Sequence, residues 1–139
     1  MVRTDTVNVV FTTADDTLAA VHVASAIGKA LAAPLTVFHF SPVSYPLSGA
    51  APAGVPAVEA ETFIERVRAE GIEARVRVYL CGLDDHILPN AFRPHSFIVV
   101  GGRRSWWPTA AERLRRRLEA AGHFVVFVDG SEQKESVRA

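Results

Sequence analysis

Phe97-Ile98-Val99-Val100 runs without a polar interruption and breaks on Gly101-Gly102. A strand with one wet face alternates apolar and polar residues, so an unbroken run belongs to a strand covered on both faces. Such a strand needs a layer above it and a layer below it. The rest of the chain reads as their source, because runs rich in valine and phenylalanine alternate with segments of helical period.

Val7–Thr12 predicts the first strand, and Thr13-Ala14-Asp15-Asp16 is a cluster suited to capping a helix. From Thr17 to Ala32 the apolar positions Leu18, Val21, Ala24, Ile27 and Leu31 recur at three and four residues, the spacing of one helical face. Pro34 ends that helix, and Leu35–Phe40 reads as a second strand. Ser41–Pro56 holds four prolines, two glycines and no charged residue, which makes it the one long loop. Ala57–Glu70 predicts a helix with Val58, Phe63, Ile64 and Val67 inward and Gly71 as its stop. Ala74–Leu80 sets Arg75, Arg77 and Tyr79 against Val76, Val78 and Leu80, the period of an edge strand wet on one face.

Asp84-Asp85 can cap a brief helix through Phe92, kept short by Pro89 and Pro94. Thr109-Ala110-Ala111-Glu112 matches the capping box and opens a last helix that runs to Ala121 and stops at Gly122. Phe124–Val128 is the fifth apolar strand, and residues 130–139 form a polar, flexible tail. The prediction is a single α/β domain over residues 1–139: a three-layer sandwich around a five-stranded parallel sheet of order 3-2-1-4-5.

Fifteen basic residues balance fifteen acidic ones, so no global field recruits nucleic acid or a membrane surface, and any electrostatic partner must be local. No apolar run approaches the ~20 residues that cross a bilayer, which argues against membrane insertion. The single cysteine, Cys81, excludes an internal disulfide, and the first residues have no apolar signal core, so the expected compartment is the cytoplasm.

In a sheet of this order, ligands bind where the strand order reverses, between the loops after strands one and four. Those loops are Thr12–Asp16 and Gly101–Pro108. Gly101 and Gly102 let backbone approach an anion, Arg103 and Arg104 offer bidentate phosphate contacts, and Ser105 adds a hydroxyl. The same residues also read as a tight turn with solvated arginines. Trp106 and Trp107 can stack on a base, enter a partner, or plug the base of the last helix. Arg113, Arg116 and Arg117 share one helical face, which reads either as solvated surface or as a patch for an acidic partner. The histidines show no metal spacing, Cys81 reads as a structural thiol, and Asp15-Asp16 are better explained as helix caps than as a carboxylate pair. No catalytic set emerges, so the chain is not expected to be an enzyme.

The chain resembles the universal stress protein family over nearly its whole length. The resemblance rests on the strand Val7-Asn8-Val9-Val10-Phe11, the turn Thr12–Asp16, Leu35-Thr36-Val37-Phe38-His39-Phe40, then Gly82, Ile87 and Phe97-Ile98-Val99-Val100-Gly101. Members that bind nucleotide carry Asp-Gly-Ser after strand one, where this chain has Thr12-Thr13-Ala14. They also carry a glycine motif after strand four, whose later positions fall here on Arg104, Leu114 and Arg115, so the glycine-rich ATP motif is lost beyond Gly101. The Arg-Arg-Ser-Trp-Trp stretch and the arginine-rich helix after it look more like the stress-protein-type domains of cation antiporters and potassium-sensor kinases.

The resemblance implies a non-catalytic stress-response or regulatory domain. It would require no cofactor and would take ATP, AMP or another phosphorylated small molecule as a ligand. Arg103, Arg104 and Ser105, after Gly101 and Gly102, would hold phosphates; Thr12, Thr13 and Asp15 the sugar or base side; Phe40 and Ser41 the base. It also implies a homodimer through Phe124–Val128, an apolar edge strand that invites pairing. The alternative is a ligand-free interaction module that regulates a partner such as a cation transporter.

Overall fold

The structure, a computed structural model, describes residues 3–42, 54–81, 92–103 and 109–130. Five strands and three helices alternate along them: β1 (Arg3–Val10), α1 (Ala14–Leu31), β2 (Leu35–Pro42), α2 (Gly54–Ala69), β3 (Arg75–Cys81), β4 (Ser96–Gly102), α3 (Ala110–Ala120) and β5 (Phe124–Asp129). The strands form one sheet of order β3-β2-β1-β4-β5, and every pairing is parallel. The predicted architecture is the observed one.

Helix boundaries follow the local chemistry. Thr13 caps α1, its hydroxyl accepting from Asp16 N at 3.2 Å, and Thr109 caps α3 in the same way from Glu112 N. Gly71 and Gly122, at φ +78° and +95°, take the left-handed conformation that ends α2 and α3. The long loop expected over Ser41–Pro56 is shorter at both ends. Ser41 and Pro42 extend β2 beside β3, past the last β1 pairing at Val10–Phe38, where a proline is tolerated because the strand has lost one neighbour. α2 starts at Gly54 and holds Pro56 in its first turn, where N–H groups have no partner within the helix. The brief helix expected from Asp84, the expected tail beyond Gly130 and the side chain of Cys81 lie outside the described residues, and Gly130, the first residue of that tail, is buried.

Alternation along the strands sorts the core into two layers. On one face Val7, Val9, Val37 and Val99 pack against Ala20, Val21 and Ala24 of α1 and Phe63, Ile64 and Val67 of α2. On the other, Val10, Phe38, Ile98 and Val100 pack with Phe92 and with Ala111 and Leu118 of α3. The expected stripe of α1 holds at Val21 and Ala24, which are buried, and at Leu18 and Ile27, which pack against the core, but not at Leu31. The buried residues are Asp16, Thr17, Ala19, Ala20, Val21, Ala24 and Gly28, whereas Leu31 is exposed, because small residues let the helix approach the sheet closely. In α3, Leu118 is fully buried and Ala121 is exposed at the C-cap, while Arg113, Arg116 and Arg117 are exposed as expected.

Candidate functional site

The expected crevice falls where β1 and β4 end side by side and the chain leaves them in different directions. Thr12, just past β1, joins the two strand ends: its hydroxyl donates to Gly101 O at 2.6 Å and its N–H to Thr17 Oγ1 at 2.9 Å. Thr13 commits its hydroxyl to the α1 cap. Both threonines therefore build the wall of the crevice.

The floor is backbone. A Cβ on Gly101 would collide with the Asp16 carbonyl, and one on Gly102 would sit 2.5 Å from Ala111 Cβ and 2.8 Å from Phe127 Cζ. Gly101 thus seats β4 on the first turn of α1, and Gly102 seats it beneath α3. Such contacts leave no room for side chains and bring main chain to the N-terminal end of a helix, whose dipole attracts anions.

That dipole already has an anion of its own. Asp16, at the third position of α1, is 7% exposed, and its Oδ1 accepts no hydrogen bond. Arg103 Nε stands 3.5 Å from this oxygen, with the guanidinium half exposed, and a Cβ on Gly130 would collide with the same oxygen. Asp16 therefore lies between the end of β5, the end of β4 and the helix terminus. Asp15, the acid expected at the site, is exposed and turned to α2, where Arg66 Nη2 lies 3.5 Å from its Oδ1. Residue phasing distinguishes the two carboxylates, since Asp16 falls in step with Ala20, Ala24 and Gly28 on the buried stripe.

Of the remaining candidates, Phe40 and Ser41 lie on the part of β2 that outruns β1, paired with Tyr79 and Leu80. Their side chains, and all of Arg104, Ser105, Trp106 and Trp107, lie outside the described residues. The structure thus brings together Thr12, Thr13, Gly101, Gly102 and Arg103 and adds Asp16 and Gly130. Among the described residues no group of three or more acids, histidines or cysteines could hold a metal ion, and no helix is long and apolar enough to cross a membrane.

No protein-family model matches the chain, and no curated protein matches it in sequence. Solved structures match it in shape. A universal stress protein from Archaeoglobus fulgidus superposes with a TM-score of 0.63 at 18% identity, covering 91% of this chain and 94% of its own. The fold is that of the universal stress proteins. A member of that family from Burkholderia pseudomallei gives a TM-score of 0.59 at 13% identity over 90% of this chain and 96% of its own. A universal stress protein in complex with cAMP gives 0.56 at 15% identity over 89% and 97%.

Proposed function

We propose that this chain is a non-catalytic regulatory domain of universal-stress-protein type that binds a nucleotide or another phosphorylated small molecule at the β1–β4 crevice. The observation that carries this reading is the convergence, at one end of the sheet, of the α1 N-terminus, the close-packed Gly101-Gly102 backbone and the half-exposed guanidinium of Arg103. The cAMP complex formed by a protein of the same fold supports a nucleotide as the ligand class. Recognition is the chemistry such a crevice offers, because its described hydroxyls are spent on the wall and on the helix cap.

Asp16 sets the terms of binding. Its carboxylate holds Arg103 and repels an incoming phosphate, so ATP binds weakly and Arg103 must turn from Asp16 to the ligand. Calorimetry with a panel of ATP, AMP and cAMP tests this reading. Replacing Arg103 and Arg104 together by Ala abolishes binding, whereas Asp16→Asn, which removes the competing charge and keeps the shape, strengthens it severalfold. Nucleotide binding that ignores both changes overturns the assignment of the site.

A second reading, an interaction module working as a homodimer, is favoured by Phe124, which is 51% exposed on the edge strand β5. Val128 is buried in its own domain and Val126 packs on the α1–α2 layer, so Phe124 is the residue that a symmetry mate would cover. Light scattering would find a dimer that Phe124→Glu converts to monomer; a wild-type monomer at micromolar concentration ends that reading.

A further inference from the structure

At the opposite end of the sheet from the crevice, the α3-side face changes character. Toward β4 it is apolar, with Ile98 and Val100 fully buried. Across β1, β2 and β3 the register pairs Asn8 with Thr36 and Thr36 with Arg75, so three polar side chains stand in one row at about 4.8 Å spacing. The next row on that face reads Val10, Phe38 and Arg77. Of these, Asn8, Thr36, Phe38, Arg75 and Arg77 line a cavity of about 320 Å³ that also reaches Asp5, Phe92 and Arg93.

A sheet covered on both faces has no use for a polar row at its centre unless something polar meets it. Asn8 and Thr36 are 4% and 8% exposed. The Asn8 amide is oriented by donating Nδ2–H to Phe97 O at 3.1 Å, and Thr36 is within 3.3 Å of the Thr6 hydroxyl. Arg93 is paired with Asp5 at 3.4 Å. Arg75 and Arg77 have no ion-pair partner among the described residues. They project from the same face of an edge strand, roughly 7 Å apart, a separation that one phosphate can bridge. Phe38 and Phe92, with ring centroids 4.5 Å apart, supply an apolar wall beside them.

We infer that this cavity is a second ligand site, separate from the β1–β4 crevice, that takes a small phosphomonoester: its phosphate on Arg75 and Arg77, its apolar body against Phe38 and Phe92. The volume lies at the small end of the range for ligand pockets, about 300–1,000 Å³, which selects a compact organic phosphate over a dinucleotide. Arginines on an edge strand also protect it from pairing with other chains, and that role alone predicts no binding.

Phenyl phosphate is the probe, with phenol and inorganic phosphate as its two halves, followed by amide NMR on the full chain. Phenyl phosphate at millimolar concentration shifts Asn8, Thr36, Arg75 and Arg77, and binds more tightly than either half. Arg75→Gln with Arg77→Gln weakens it about tenfold or more, through loss of two charge-assisted contacts, while the amide spectrum stays folded. Arg75→Lys with Arg77→Lys retains part of the affinity by keeping the charge without the fork. Three results overturn the site: no shift in these four residues, phenol binding as tightly as phenyl phosphate, or the Gln pair binding as wild type does. Shifts confined to Gly101 and Gly102 overturn it too, while leaving the crevice reading standing.

Discussion

The two faces of the sheet are built by opposite rules. Beneath α1 and α2 the central positions Val7, Val9, Val37 and Val99 are apolar, with His39 buried farther along β2, and α1 is lined with small residues, so backbone meets backbone at Gly101. On the α3 side Val10 and Phe38 join Ile98 and Val100 in the apolar packing, and toward the N-terminal ends of β1 to β3 it gives way to Asn8, Thr36 and two arginines. The first face holds the fold together through contacts that cannot relax. The second has an apolar half and a polar half, and the polar half is where the proposed second site lies.

The sharpest test of this contrast lies in the neighbouring glycines, which serve one face each. Gly101→Ala drives a methyl into the Asp16 carbonyl, a rigid part of α1, and should cost about 3 kcal/mol or more in urea denaturation. Gly102→Ala meets the side chains of Ala111 and Phe127, of which the phenylalanine ring can turn, so a cost of about 1–2 kcal/mol is expected. Equal losses at the two positions would break the distinction between a backbone-locked face and a side-chain-packed one.

The helix caps come next in size. Thr13→Ala and Thr109→Ala each remove one side-chain acceptor for a first-turn N–H and should each cost about 1 kcal/mol in thermal melts. Thr13 also leads into the crevice wall, so its loss should in addition disturb the amide signals of Thr12 and Gly101, which Thr109→Ala leaves in place. The smallest effect belongs to the polar half. Exchanging Arg75 and Arg77 for Gln should move stability by no more than about 0.5 kcal/mol, because exposed unpaired cations contribute little to folding. A loss of several kcal/mol there would mean that the arginines are structural.

Much of this was legible in the chain because it is local. Capping by Thr13 and Thr109, the stops at Gly71 and Gly122, and the buried run Phe97–Val100 depend on residues a few positions apart. Strand order followed from burial pattern and regular alternation. What was not legible depends on phase or register. Asp15 and Asp16 are neighbours of one chemical type, and only the small-residue stripe Ala20, Ala24 and Gly28 reveals which of them turns inward. Leu31 matched a helical face and is nevertheless exposed, since α1 approaches the sheet through its smaller side chains. The row Asn8, Thr36, Arg75 is scattered over three distant segments and becomes visible only once parallel pairing aligns them.

The Thr12–Gly101 hydrogen bond spans 89 residues of sequence. During synthesis at about 5–20 residues per second, the end of β1 waits roughly 5–20 s before its partner on β4 exists. In that interval β1 and β2 can pair, but β1, the middle strand of the finished sheet, is an unguarded margin whose apolar valines face the ribosome's surroundings. The Thr12–Gly101 junction therefore forms only after β4 has been made. A ligand held at the proposed site between Thr12 and Arg103 would bind only a chain whose two halves have already met, and its occupancy would report that they have.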